Sequence, residues 1–479
     1  MIHRTSAPRV HQGWTRDWWA GKGPWAALVG PAPSEASLAD RAAVIASAWT
    51  HGDSWHDALH PVSRARAKPE PGSLIVLAGQ QPVLGGGPAL VVHKAATAIA
   101  LARRASEVLA RPVVPVFLLA DQDSDSGEIG HVDTFDQLKR SFVRHRSAVF
   151  PGQDMFSRST WDRGSQQSFK QTMSALGVPE GLLGAPGGPI SNHPAALIDA
   201  ALGPHGLIIV EASRLEAAGR KTLARALADP APLLDKLAMG ADRLREVGRA
   251  PSFDPGDPRP LVLESREGRR RRIEPDDDQA ASRHAAHPDD FSPHAALRPI
   301  VQAQAMPVIA QVVGPSELMY LAQARGLHDL FSAPKPLLVP RMEATRVPAA
   351  LFAELGERLL DDSEAAGGAT EATALIEAAD RFAQELGARD PRTLPRLERF
   401  AAFVRRRALS LAEQPAWHGR AARGMRAMTR PRGRWQDSVL AWLPDAWLDD
   451  DPAGYGQHLV SLCRPLDPPV HVIHTYPEA

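Results

Sequence analysis

The sequence lacks three features that would assign a class of function directly. It contains one cysteine, Cys463, in 479 residues, so no internal disulfide and no cysteine-based zinc ribbon can form. Lysine and arginine together equal the acids at 55 each, which leaves no charge excess to attract nucleic acid or an anionic membrane. The longest apolar stretch cannot span a bilayer, because it is broken by Gln80, Gln81, His93 and Lys94. We therefore expect neither nucleic acid nor a membrane as a partner.

Several catalytic signatures are missing as well. The sequence has no G-x-G-x-x-G dinucleotide pattern, no P-loop and no H-E-x-x-H zinc motif. The first residues, Met1-Ile2-His3-Arg4, turn polar at once and lack the apolar core of a secretory signal. We expect the lone Cys463 to be an inert apolar residue and not a nucleophile. Together these features predict a cytoplasmic protein.

Apolar runs of strand length recur along the chain, with helix-like sequence between several of them. They lie at residues 74–78, 113–119, 207–210, 261–263, 308–313 and 337–339. Such alternation predicts an α/β fold with a mostly parallel sheet covered on both faces. Residues 150–192 are rich in Gly, Ser and Pro, which predicts an irregular insertion.

The sequence changes character after residue 345. Residues 348–413 are rich in Ala, Leu, Glu and Arg, with leucines at helical spacing, which predicts a helical or coiled-coil appendage. We therefore divide the chain into a core of residues 1–345 with inserts and a helical, coiled-coil region of residues 346–479 whose tail returns to the core.

Two polar loops follow the first two predicted strands. Residues 79–88 are rich in glycine and amide and lead into an alanine-rich segment that carries Lys94. Residues 121–131 contain four acids and His131. Ligands of an open parallel sheet bind beyond the carboxyl ends of its strands. We therefore expect both loops to face one site.

The residues alone leave the chemistry of these loops open. A glycine-rich turn before a helix is as typical of tight-turn geometry as of phosphate binding. The acidic loop lacks the glycine and glutamate of a calcium loop, which excludes an EF-hand. It can bind Mg²⁺, hold an ammonium group or supply a general base, or it can be a solvated loop. For the run Arg269 to Arg272 the pattern favours a solvated loop over an anion site.

Several short motifs occur in a fixed order along the chain. The first part has Ala78-Gly79-Gln80-Gln81-Pro82, Gly86-Gly87-Pro88, Lys94 and Arg111-Pro112-Val113-Val114-Pro115-Val116-Phe117. The later part has Phe291-Ser292-Pro293, Leu297-Arg298-Pro299-Ile300-Val301-Gln302, Gly314-Pro315-Ser316-Glu317-Leu318 and Pro336-Leu337-Leu338-Val339-Pro340-Arg341. This order resembles that of the BshC family, the cysteine ligases of bacillithiol biosynthesis, over roughly Leu74 to Pro444.

The resemblance implies a Rossmann-like core with connecting inserts and a C-terminal coiled coil that forms a homodimer. The implied reaction is carbon–nitrogen bond formation between the carboxyl group of L-cysteine and the amino group of glucosaminyl malate. ATP or another nucleotide is the expected cofactor, and Mg²⁺ is a further candidate, with no residue assigned to a metal. The candidate catalytic residues are Lys94, Asp123, Asp125 and His131. The candidate residues for binding substrate or nucleotide are Gly79, Gln80, Gln81, Gly86, Gly87, Glu128, Arg298, Gly314, Glu317 and Arg341.

The acidic loop departs from the family pattern S-E-D-H-D-[WF]-E-E-[VI]-N-H. An acid is replaced by Gln122, a histidine by Ser124 and an asparagine by Gly130. Two of these replacements remove groups that transfer protons or bind charge. Three hypotheses follow: a ligase that adds cysteine to glucosaminyl malate, a diverged ligase for another amino acid and amine, and a non-catalytic homologue that binds a nucleotide or a thiol metabolite.

Overall fold

The structure is a computed structural model of the chain. It describes residues 2–5, 13–49, 52–125, 130–136, 141–146, 154–161, 163–176, 178–183, 188–348, 377–378, 380–381, 404, 440–442, 451–467 and 471–476. Most of the predicted coiled coil, residues 348–413, lies outside the described residues, and so does the surface predicted to form a homodimer.

The strands of the described residues belong to four sheets. In chain order they are β1 (Ile2–Thr5), β2 (Leu74–Gln80), β3 (Val113–Leu119), β4 (His131–Asp136), β5 (Ser141–Arg146), β6 (Ile208–Glu211), β7 (Val262–Arg266), β8 (Arg269–Arg272), β9 (Phe291–Pro293), β10 (Val308–Val313), β11 (Leu337–Pro340), β12 (Glu343–Pro348) and β13 (His471–Tyr476). The central sheet has the order β11-β10-β2-β3-β6, and its neighbouring strands are parallel. This confirms the predicted fold class.

The helices cover the central sheet and join its strands. They are α1 (Gly13–Trp19), α2 (Trp25–Val29), α3 (Glu35–Ala48), α4 (Pro61–Arg64), α5 (Leu90–Leu109), α6 (Arg163–Ala175), α7 (Asn192–Leu202), α8 (Glu216–Ala228), α9 (Ala231–Glu246), α10 (Ala280–Ala286), α11 (Arg298–Ala305), α12 (Pro315–Ala324), α13 (Leu327–Leu330) and α14 (Pro452–Leu462). None of these described helices combines the length and the apolar character that a membrane span requires.

Strand β2 shows why the sheet is buried on both faces. Its side chains alternate between two cores, because successive residues of a strand point to opposite faces. Leu74, Val76 and Ala78 belong to one core together with α5, whereas Ile75 and Leu77 belong to the other. Strand β2, apolar and buried from Leu74 to Ala78, therefore lies at the centre of the sheet.

Two parts of the sequence fold differently from the predictions. The apolar run at 261–263 forms a strand, but β7 pairs antiparallel with β8 and β9 in a separate sheet. The stretch at 150–192, predicted as irregular, contains the 13-residue helix α6. Its buried residues, Gln166, Phe169 and Met173, lie three and four positions apart and form one helical face. The Gly-, Ser- and Pro-rich composition of residues 150–192 made this helical face difficult to recognise in the sequence.

The two ends of the described chain meet in one small sheet. Strand β13 pairs antiparallel with β1 and parallel with β12. Helix α14 adds Leu459, Val460 and Leu462 to the core that contains α5. The residues around the predicted domain boundary at 345 therefore lie inside β12, an edge strand of this small sheet.

Candidate active site

A polar cleft opens where the direction of chain progression in the central sheet reverses. From β2 the chain proceeds to β3 and β6 on one side, and it later adds β10 and β11 on the other. Such a reversal is where open α/β sheets bind ligands. The cleft has a volume of about 340 Å³. Nine of the predicted site residues line it: Gly79, Gln80, Gln81, Lys94, Asp123, Arg298, Gly314, Glu317 and Arg341.

Lys94, on the first turns of α5, organises one end of the cleft. Its side chain is 3% exposed, and Nζ lies 2.5 Å from Oε2 of Glu317. The ammonium also donates to Oε1 of Gln80 at 2.7 Å and to the carbonyl of Gly79 at 3.2 Å. An ammonium has three N–H donors, so each has an acceptor. We call Gly79, Gln80, Lys94, Gly314 and Glu317 the Lys94 cluster.

Glu317 caps the N-terminus of α12. The backbone N–H of Gly314 donates to Oε2 of Glu317 at 2.7 Å, so one carboxylate joins the helix start to Lys94. Burial lowers the pKa of Lys94, the charge of Glu317 opposes that shift, and the nearby charge of Arg341 adds to it. Glu317, predicted to bind substrate or nucleotide, therefore pairs with the ammonium group of Lys94.

Asp123, just after β3, organises the other end of the cleft. Its Oδ2 accepts a hydrogen bond from Nε2 of Gln81 at 2.8 Å, and its Oδ1 accepts one from the backbone N–H of Ser124 at 2.8 Å. Guanidinium nitrogens of Arg270 and Arg298 each lie 3.6 Å from an Asp123 oxygen. We call these five residues the Asp123 cluster. Burial favours a raised Asp123 pKa, but the two arginines and the two hydrogen bonds outweigh it and lower the pKa.

Three buried polar atoms in the cleft make no hydrogen bond to the described residues. They are Nε of Arg298, Oε1 of Gln81 and Oε1 of Gln302. Buried polar groups are nearly always paired, so a cluster of unpaired ones indicates a place for a polar ligand. The three atoms offer one donor and two acceptors, which fits a ligand with both anionic and N–H or O–H groups.

A pair of buried acids lies behind the Asp123 cluster, at the ends of β3 and β6. Asp121 accepts hydrogen bonds from Oγ and from the backbone N–H of Ser213, at 2.6 and 2.8 Å. Burial raises the pKa of Asp121 to about 6. Burial, and next the charge of Asp121, raises the pKa of Glu211 to about 7, although Arg214 contacts Glu211 at 2.6 Å. This pair is therefore sensitive to pH near neutrality.

The described acids do not form a metal site. Asp121 accepts from Ser213, Asp123 faces two guanidinium groups, and Asp125 is exposed. Within the described ranges no three His, Cys, Asp or Glu side chains come together as metal ligands.

Four predicted site residues within the described part of the chain, Asp125, His131, Gly86 and Gly87, are not part of the cleft lining. Asp125 is exposed, and Glu128 lies outside the described residues. His131 begins β4, and its Nε2 lies 3.8 Å from Oδ2 of Asp133. Gly86 and Gly87 are buried in the turn before α5 at φ of 74° and 80°. A Cβ on Gly86 would lie 2.7 Å from Trp442, whose indole N–H donates to the Gly86 carbonyl. These two glycines therefore serve the packing of the turn.

The sequence-based prediction missed Gln302, which lines the cleft, and Arg270, which contacts Asp123 from just behind the lining. Gln302 follows Arg298 on the same helix, and its amide is in the cleft. Arg270 belongs to a run for which a solvated loop was favoured, and that interpretation was wrong for this residue. The run forms strand β8, whose side chains alternate between exposed and part-buried. Arg270 is on the inner side, with 6% of its side chain exposed. Four consecutive arginines carry no alternation in the sequence, so nothing in the run marked Arg270 as an inward-facing residue.

Cys463 is not part of the cleft. Its thiol is buried and contacts the Leu459 carbonyl at 3.4 Å, and burial raises its pKa to about 12. A thiol with such a pKa is a poor nucleophile near neutral pH. This agrees with the expectation that Cys463 is an inert apolar residue.

A family model described as "Bacillithiol biosynthesis BshC, N-terminal Rossmann-like domain" matches residues 64–181 and 192–342. This chain belongs to the BshC family. Its matched region contains all the cleft residues that carry charge. The family assignment thus confirms the resemblance and the Rossmann-like core that followed from it.

Curated relatives of this BshC-family chain carry the name "Putative cysteine ligase BshC". The one from Heliobacterium modesticaldum is 30% identical over 59% of this chain and 56% of its own length. Those from Shouchella clausii and Symbiobacterium thermophilum are 26% and 28% identical, over 63% and 68% of this chain and 59% and 66% of their lengths. The chain thus spans less than two thirds of the length of these relatives.

Proposed function

We propose that this protein is a ligase that forms an amide bond between the carboxyl group of L-cysteine and the amino group of glucosaminyl malate. The observation that carries the proposal is the cleft at the reversal of the sheet, where unpaired donors and acceptors occur together with several cationic side chains. The name of the curated relatives supports a ligase at the level of the family.

Amide formation near neutral pH needs an activated carboxyl group and a deprotonated amine. We propose that ATP or another nucleotide supplies the activation when it is bound. Lys94 and Arg341 would hold its phosphate groups, because they bring two cations to the start of α12 at one end of the cleft. For Lys94 to contact a phosphate, one of its three present acceptors must be exchanged.

Asp123 is our candidate for binding and orienting the attacking amine. Its lowered pKa keeps it ionised near neutral pH, and it lies in the cleft facing the ligand space. An ionised carboxylate holds an ammonium group and accepts a proton from it weakly. Asp123 therefore positions the amine, and the replacement of the family histidine by Ser124 removes a nearby proton acceptor.

The proposal is tested by incubating the purified chain with L-cysteine, glucosaminyl malate and ATP and measuring the thiol product by mass spectrometry. We expect the amide product, and we expect loss of product in the Asp123→Ala protein. A folded wild-type protein that forms no product with any nucleoside triphosphate would overturn the proposal.

A second candidate function is a ligase for a different amino acid and amine. The observation that favours it is the altered loop, in which Gln122 is buried where the family has an acid. The same assay with a panel of amino acids and amino sugars distinguishes the two, because a diverged ligase forms an amide only with another pair. We further propose that the reaction occurs in the cytoplasm and that the C-terminal helices form a homodimer.

A further inference from the structure

Arg270 approaches the cleft residue Asp123 from a part of the chain outside the central sheet, and it lies just behind the cleft lining. It lies on β8, in the small antiparallel sheet formed by β7, β8 and β9. Its Nε donates to Oγ of Ser292 at 2.8 Å, and its terminal nitrogen donates to the Pro293 carbonyl at 3.3 Å. These contacts fix the guanidinium with its remaining nitrogen 3.6 Å from Asp123. The guanidinium of Arg270 is thus held in a fixed orientation toward Asp123.

The charges of the Asp123 cluster do not cancel. The Arg270 and Arg298 guanidinium groups share the single carboxylate of Asp123, which leaves one positive charge in a largely buried place. Burial lowers the pKa of Arg270 to about 10, so it is still charged near neutral pH. A buried charge is costly unless it is paired. A ligand anion would supply the missing partner.

The hydrogen-bonding capacity of the cluster is also unused. A guanidinium carries five N–H donors in a fixed fork. The Arg298 guanidinium donates none of them to a described residue within hydrogen-bond distance, since its one ion pair is 3.6 Å long. Gln302, with 7% of its surface exposed, presents its unpaired Oε1 on the same helix. The open guanidinium fork of Arg298 and the one remaining nitrogen of Arg270 thus adjoin amide oxygens that accept hydrogen bonds from hydroxyl groups.

We propose that Arg270 and Arg298 form the subsite for a hydroxylated dicarboxylate group, and that Arg270 is a specificity-determining residue for it. The inference rests on the proposed function, in which this group is the malyl part of the acceptor. Each guanidinium binds one carboxylate, and the oxygens of Gln81 and Gln302 accept hydrogen bonds from ligand hydroxyls. Arg270, and not Arg341, is then the partner of Arg298 in recognising the two carboxylates.

The test compares two substitutions of Arg270 with a matched one on the same strand. Arg270→Gln removes the charge, and Arg270→Lys keeps the charge but loses the fork. Arg271→Gln removes the same charge from the exposed side of β8. Binding of L-malate and of the monocarboxylate L-lactate is measured by calorimetry for each folded protein. The steady-state KM values for glucosaminyl malate and for L-cysteine are measured in parallel.

We expect Arg270→Gln to weaken L-malate binding and to raise the KM for glucosaminyl malate by roughly tenfold to a hundredfold, with the KM for L-cysteine unchanged. For Arg270→Lys we expect an L-malate affinity and an acceptor KM between those of wild type and Arg270→Gln. Arg271→Gln should behave as wild type. In the Arg270 variants L-lactate binding should change less than L-malate binding. An unchanged malate affinity and an unchanged acceptor KM in the folded Arg270 variants overturn the subsite.

The outcomes separate the subsite from the proposed function. If malate binding depends on Arg270 but no amide forms, the subsite stands and the ligase proposal fails. If amide forms at the same acceptor KM in wild type and Arg270→Gln, the ligase stands and the subsite fails. Should Arg270→Gln not fold, the folded Arg270→Lys protein decides by the same measurements.

Discussion

The two ends of the cleft differ in how far their polar groups are already satisfied. In the Lys94 cluster each N–H of the ammonium has an acceptor within the chain. In the Asp123 cluster two guanidinium groups share one carboxylate at 3.6 Å, and Nε of Arg298 has no partner among the described residues. The first arrangement holds the folded state together, and the second is prepared for a ligand.

This difference has a physical origin in the way the two clusters are built. The Lys94 cluster joins the ends of β2 and β10 to α5 and to the start of α12, so a broken contact there loosens several elements at once. In the Asp123 cluster, β8 and α11 contribute arginines that approach the loop after β3. Hydrogen bonds from Arg270 to Ser292 and Pro293 keep its guanidinium from moving closer to Asp123. Ligand binding can therefore be gained at one end without loss of stability at the other.

The largest expected effect concerns activity at the Asp123 cluster. Asp123→Asn removes the carboxylate that positions the amine, so kcat for amide formation should fall by about 10² or more. L-malate binding should be kept or become tighter, because the negative charge that faces Arg298 is gone. Calorimetry and initial rates check both, with the exposed Asp242→Asn as the control. If Asp123→Asn loses malate binding together with activity, the claim that the Asp123 cluster binds the ligand through its arginines is contradicted.

The next largest effect concerns stability at the Lys94 cluster. Glu317→Gln leaves a buried ammonium without its counter-ion, which should lower the free energy of unfolding by about 3 kcal/mol. Denaturant unfolding measures it. The control is Glu107→Gln, which breaks an exposed pair with Arg104 and should cost less than about 1 kcal/mol. Equal losses in the two variants would show that the Lys94 cluster is no more than a surface pair.

The buried acids behind the Asp123 cluster predict a pH dependence. Burial raises the pKa of Asp121 to about 6 and that of Glu211 to about 7, above their unfolded values. The stability they contribute is complete below about pH 4 and is lost as the pH rises through 6 and 7. In Asp121→Asn the decrease in unfolding free energy between low and high pH should be smaller than in wild type by on the order of 2 kcal/mol.

Unfolding free energies of wild type and Asp121→Asn from pH 5 to 8 measure this slope. Asp242→Asn, with its side chain 67% exposed, serves again as the control and should leave the slope unchanged. A slope that is identical in all three proteins would mean that Asp121 is ionised throughout this range in the folded state.

The smallest expected effect concerns a residue outside both clusters. Gly86→Ala introduces a Cβ that would lie 2.7 Å from Trp442, at a φ of 74°. We expect a loss of about 1–2 kcal/mol in unfolding free energy and no change in malate affinity. Gly181→Ala, whose Cβ would meet nothing within 4 Å, is the control. A large loss of malate affinity in a stable Gly86→Ala protein would show that Gly86 contributes to ligand binding.

The sequence predicted the parts of the fold that depend on local pattern. The apolar runs at 74–78, 113–119 and 308–313 are buried strands of one sheet, and the loops after the first two meet in the cleft as expected. The pairing of Lys94 with Glu317 was not predictable in this way, because the two residues are far apart in the chain and meet only through the order of β2 and β10. The role of Arg270 was not predictable for a similar reason. The small sheet of β7, β8 and β9 brings it to Asp123, and the sequence of the central strands does not indicate that contact.

The account is tested most directly by calorimetric titration of glucosaminyl malate into wild-type and Arg298→Gln proteins. Arg298 lines the cleft and donates no hydrogen bond to a described residue, so its replacement should reduce binding while removing only the 3.6 Å ion pair with Asp123. We predict saturable binding to wild type that is at least about tenfold weaker in Arg298→Gln. Equal affinity in the two folded proteins would contradict the assignment of the cleft as the acceptor site.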